Sequence, residues 1–166
     1  MSVFIHFESL FTYEAESSNV RLPLSRLADG RDHIHGALSI HIAGKPIPSL
    51  GFFGPDDVCL NTWTQELHAI EEALSQKQDA IYVFDEGEQG QPAYEFRRDG
   101  ALLYVSVIDS QVSGARGDPS YQQISCLWTD FLLSVRTYRS QLQVTLQSEV
   151  PELAQEWWSA NYRGAA

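Results

Sequence analysis

The chain has 166 residues, 43% of them hydrophobic, with 22 Asp and Glu against 11 Lys and Arg and a formal net charge of −11. That length supports one well-formed core and is short for two, so residues 1–166 read as a single globular domain. So acidic a surface repels nucleic acid and anionic membrane and attracts basic partners. A domain of roughly 150 residues buries about 70% of its unfolded surface, so neither a metal nor a disulfide is required for folding.

Cys59 and Cys126 are the two cysteines. They read as reduced, buried thiols, and neither has a base close by in sequence. The N-terminal run MSVFIHFESLF lacks a basic segment, and Glu8 interrupts its apolar residues, so it is not read as a secretion signal. No stretch approaches the roughly 20 apolar residues of a membrane span. The expected location is cytoplasmic.

Val3 to Tyr13 alternates as a strand, with Val3, Ile5, Phe7, Phe11 and Tyr13 on one face. Residues 14 to 30 are polar and broken by Pro23 and Gly30, which predicts a connection with one short turn around Leu24 to Leu27. From His33 to Ala43 the alternation is cleaner. Ile34, Leu38, Ile40 and Ile42 share one face, and His33, His35, Ser39 and His41 share the other. Pro55-Asp56-Asp57 supplies a cap and early negative charge for a helix over 56–76. Its apolar stripe is Trp63, Leu67, Ile70 and Leu74.

Ile81 to Phe84 is a short strand, and Asp85 to Gly90 a Gly-flanked acidic turn. Ala93 to Arg98 and Leu102 to Ile108 form a hairpin across Asp99-Gly100. Residues 109 to 118 read as a loop. Asp118-Pro119 then has the cap-and-proline signature of a long helix ending between Leu142 and Gln147. The expected buried face of that helix is Ile124, Leu127, Trp128, Phe131, Val135, Tyr138 and Leu142. Pro151 begins a shorter helix with Trp157, Trp158 and Tyr162. The order β-β-α-β-β-β-α-α predicts an α+β fold, a single antiparallel sheet of about five strands with helices packed on one face.

Motifs with chemistry are sparse. His33 and His35, two apart on a strand, root their imidazoles about 7 Å apart on one face. His41 shares the parity but lies too far along. His6 and Glu8 could complete a metal site if the first strand pairs alongside. Two ligands fall short of a site, and a polar strand face explains the pair without an ion, so no metal and no cofactor are expected. No Gly-x-Ser-x-Gly elbow or phosphate loop occurs, so catalytic residues are not assigned.

The clustered carboxylates Asp56, Asp57, Asp85, Glu86 and Glu88 read as solvated charges suited to steering a basic partner. Trp157 and Trp158 are about 100° apart on a helix, so one should pack inward and the other lie at a boundary, where aromatic anchors mark interfaces.

In layout the chain resembles the small acidic immunity proteins of bacterial toxin–immunity loci. An early strand pair precedes a Trp-bearing helix (Leu60-Asn61-Thr62-Trp63). A hairpin follows from Glu86-Gly87-Glu88-Gln89-Gly90-Gln91-Pro92 into Tyr104-Val105-Ser106-Val107-Ile108-Asp109-Ser110, and an aromatic helix with Phe131 and Tyr138 closes the pattern. The resemblance covers roughly residues 33 to 145 and is one of architecture. It implies a non-enzymatic inhibitor that neutralises a cognate toxin, a basic protein, by stoichiometric binding. The alternatives are a small enzyme or metal-binding domain on the His33/His35 face, or a structural subunit of a larger assembly.

Overall fold

The computed structural model describes residues 3–14, 17–86 and 90–162. The fold is α+β, but the strands divide into two antiparallel sheets rather than one. The first sheet contains β1 (Val3–Glu14), β2 (Ser17–Pro23), β3 (His35–Ile42) and β4 (Lys45–Pro46) in the order β2-β1-β3-β4. The two-residue strand β5 (Val58–Cys59) also pairs with β3. The second sheet is a meander of β6 (Asp79–Phe84), β7 (Ala93–Asp99), β8 (Leu102–Ile108) and β9 (Ile124–Leu127).

Three helices of the described residues complete the fold: α1 (Leu60–Ser75), α2 (Trp128–Glu149) and α3 (Pro151–Asn161). α1 packs on β3, β6 and β7; α2 packs on β1, β8, β9 and α3. None of these helices is long and apolar enough to cross a membrane.

The core-facing alternation in β3 is as expected, with Ile34, Leu38, Ile40 and Ile42 all buried. So is the α1 stripe of Trp63, Leu67, Ile70 and Leu74. These side chains join Phe96, Phe131 and Tyr138 in one contiguous hydrophobic cluster drawn from both sheets. The β7–β8 hairpin pairs Asp99 with Leu102, and Gly100 takes the left-handed conformation (φ 58°) that the tight turn requires.

The strand expected from His33 begins at His35, and three boundaries move further, each where a tertiary contact outweighs a local signal. The polar connection after residue 14 contains β2, which pairs with β1. α1 begins at Leu60 rather than Asp56, because Val58 and Cys59 are drawn into pairing with Gly36 and His35.

The long helix begins at Trp128, not at Asp118-Pro119. The Asp118 carboxylate accepts the Ser120 N–H and hydroxyl and closes a local turn. Gln123 then takes a positive φ of 50°, and Ile124–Leu127 pairs along the open edge of β8. A sheet edge with unpaired N–H and C=O groups is satisfied by such a strand. Ile124 and Leu127 are therefore strand residues, and Leu127 is exposed rather than part of the buried helix face. The helix then runs on to Glu149, past the end expected between Leu142 and Gln147.

The core holds tyrosines whose ionisation burial suppresses. Tyr94, Tyr121 and Tyr138 are raised above their ordinary value near 10, and burial pushes the Cys126 thiol up to about 12. The unfolded chain loses these protons first as pH rises, so it binds fewer protons than the native state and stability falls with pH there. The expected melting curve keeps this contribution in full only below the thiol's ordinary value near 9, and loses it progressively above as the unfolded cysteine and then the unfolded tyrosines ionise. Thermal unfolding across pH 8 to 12, with tyrosinate absorbance followed in parallel, checks it. Titration of all the tyrosines at their ordinary value in the folded protein would contradict the packing.

Candidate functional site

Chemistry gathers where the start of β3 meets the β5–α1 junction. Antiparallel pairing sets His35 directly opposite Cys59. The Leu60 N–H donates to the Ile34 carbonyl at 2.8 Å, fastening the first residue of α1 to the strand. Asn61 closes the clamp: its Oδ1 accepts the Ile34 N–H at 2.8 Å, and its Nδ2 donates to the Asp32 carbonyl at 3.2 Å. The Thr12 hydroxyl donates to the His33 carbonyl at 3.1 Å. Residues 32–35 are thereby held on both sides.

His33 and His35 do project together, with ring centroids 6.2 Å apart. The third member is Cys59, which joins them so that one donor atom of each lies within 4.8 Å of the others. Burial pushes the Cys59 thiol up, but its contact with His33 and with the Thr62 N–H and hydroxyl outweighs this and holds it below its ordinary value. The same contact with Cys59 holds His33 above its ordinary value, against the pull of burial. Burial keeps His35 below its ordinary value even though Asp57 opposes the shift. The expectation that neither cysteine has a base within reach is thus corrected for Cys59, because strand pairing supplies a neighbour that sequence spacing hides.

Asp57 is not an exposed carboxylate. It is 4% exposed and accepts hydrogen bonds from three directions. His35 Nδ1 lies 2.8 Å from its Oδ1, Arg21 Nη2 donates to Oδ2 at 3.2 Å, and the Tyr13 hydroxyl donates to the same Oδ2. The remaining acidic candidates scatter. Asp56 is exposed. Asp85 is half-buried and accepts the Ser110 hydroxyl at 2.6 Å and the Gln111 N–H at 2.8 Å. Glu86 lines the same cleft as the histidines, and Glu88 lies outside the described residues.

His6 and Glu8 do not approach the pair. β1 does lie beside β3, but its register sets His6 opposite Ser39, and Phe11 takes the place opposite His35. Trp157 is fully buried, so it offers no surface to a partner, and Trp158 is half-buried and stacked on Tyr162.

The cleft over this cluster holds about 180 Å³ and is lined by His33, His35, Cys59, Phe52, Glu86 and Gln91 among others. Small-molecule sites ordinarily run from about 300 to 1,000 Å³. On its rim Phe52 and Phe53 are 55% and 69% exposed, packed edge to face at 5.0 Å. Nothing in the composition flags this pair. A Phe-Phe step inside a Gly- and Pro-rich loop is the signal that could have revealed it. Comparison with protein-family models, with curated proteins and with solved structures finds no match for this chain.

Proposed function

We propose that this protein is a binding protein rather than an enzyme, one that neutralises a basic protein partner by stoichiometric docking, as an immunity protein does its cognate toxin. The observation that carries the reading is the exposed Phe52–Phe53 pair on the rim of a cleft containing Glu86, in a chain of net charge −11. Large exposed aromatics supply the apolar anchor of an interface, and surrounding carboxylates steer a basic partner and repel anionic ones. The cleft is small for a metabolite but suits a side chain reaching in from a protein. A toxin that holds phosphates must be basic, and an acidic surface exploits the same field.

The assembly-subunit alternative weakens, since of its two tryptophans Trp157 is committed to the core. The enzyme or metal-domain alternative gains Cys59.

The test is capture of the product of the adjacent gene, then association and dissociation rates at low and high salt. Phe53→Ser should raise the dissociation rate by about tenfold or more, as loss of an aromatic anchor does. Asp56→Lys should slow association and flatten its salt dependence, with thermal stability nearly unchanged. At physiological salt the Debye length is about 8 Å, so only carboxylates near the docked surface matter. A partner captured with rates indifferent to salt and to both substitutions would sink the reading, as would failure to find a basic partner.

A further inference from the structure

We infer that His33, His35 and Cys59 form a binding site for a divalent transition-metal ion of the zinc class, with Asp57 orienting His35 from behind. This goes beyond the docking reading and does not depend on it.

Imidazole and thiolate together are the donor set that zinc favours, and three protein ligands are the number found where a fourth position is kept for water or an incoming group. Zn–N bonds of about 2.0–2.1 Å and a Zn–S bond of about 2.3 Å put tetrahedral donors roughly 3.3–3.6 Å apart. The three donor atoms here already lie within 4.8 Å of one another. Closing the difference takes at most about 1.2–1.5 Å between donors, within reach of side-chain rotation. His33 is exposed and free to make that adjustment, whereas His35 and Cys59 are half-buried and held by strand pairing.

The second argument is the support behind His35. Its Nδ1 faces the buried Asp57 carboxylate at 2.8 Å, which directs the proton to Nδ1 and leaves the Nε2 lone pair for a ligand. Asp57 is itself fixed by Tyr13 and Arg21. Carboxylate–histidine–metal relays are built this way. A polar strand face with no ligand needs no buried carboxylate behind one of its histidines.

The third argument is access. The cluster lines a cleft shared with Glu86, Gln91 and Phe52, so an ion could enter and its open position would face the surface that we propose for docking. Among the described residues, this is the group of His, Cys and acidic side chains close enough to hold an ion.

The experiment is titration of the chelator-treated full chain with Co2+ and then Zn2+. One equivalent of Co2+ should bind, with the intense visible bands of a four-coordinate ion and a thiolate-to-cobalt charge-transfer band in the near ultraviolet. Zn2+ should displace it. Cys59→Ser should abolish the charge-transfer band. His33→Gln, at an exposed position, should weaken Co2+ affinity by at least about tenfold, the loss produced by removing even an outer partner. Far-ultraviolet circular dichroism of both variants establishes that they are folded. Absence of a saturable thiolate band, or binding that persists undiminished in Cys59→Ser or His33→Gln, would overturn the site.

Discussion

Replacing Trp157 with alanine is expected to destabilise the protein by about 3–5 kcal/mol, the range for removing a buried tryptophan. The indole is fully buried in α3, and its Nε1 donates to the Asp32 carbonyl at 3.2 Å. That carbonyl also accepts from Asn61, so the substitution removes both a core side chain and one of the two side-chain bonds to Asp32 ahead of β3. Against a total stability of roughly 5–15 kcal/mol for a domain, the loss is a large fraction. Trp158→Ala is the control. Its ring is half-buried and stacked on Tyr162 at 5.2 Å, so about 1 kcal/mol is expected. Urea unfolding of the two variants measures the contrast. Equal losses would mean that α3 does not seat Trp157 in the core.

Asp57→Ala is the second large effect, expected to cost about 3 kcal/mol. Removing one partner of a buried ion pair ordinarily costs about 3–5 kcal/mol, because the other charge is stranded. Here the lower end applies. The Arg21 side chain is half exposed and can turn to water, and His35 can stay neutral. What cannot be relieved is the loss of hydrogen bonds that Tyr13, Arg21 and His35 all direct at one carboxylate. Arg21→Ala should therefore cost far less, about 1 kcal/mol at most, in keeping with an exposed cation. Denaturant midpoints for the two variants give the comparison. A larger loss for Arg21 than for Asp57 would show that the carboxylate is not the hub of this network.

The same aspartate illustrates a limit of reading by local signal. Pro55-Asp56-Asp57 has the composition of a helix start, and composition says nothing about a tyrosine, an arginine and a histidine arriving from distant strands. Once they arrive, a carboxylate expected to be solvated becomes a buried acceptor, and the helix begins three residues beyond it. Asp118-Pro119 fails in the same way, because the unfilled edge of β8 draws Ile124–Leu127 into a strand before the helix starts.

The α+β class, the buried faces of β3 and α1, the β7–β8 hairpin and the common face of His33 and His35 are all legible from local pattern. Each depends on periodicities of two or 3.6 residues, or on a turn residue, which neighbours in the chain are enough to express. The division of the strands into two sheets, the place of Cys59 beside the histidine pair, and the exposure of Phe52 and Phe53 on the cleft rim come from folding in three dimensions. Alternation shows that a strand has a buried face but not which strand lies next to it. Sheet membership and the meeting of Cys59 with His35 depend on pairing between segments far apart in the chain, which alternation within one strand does not specify.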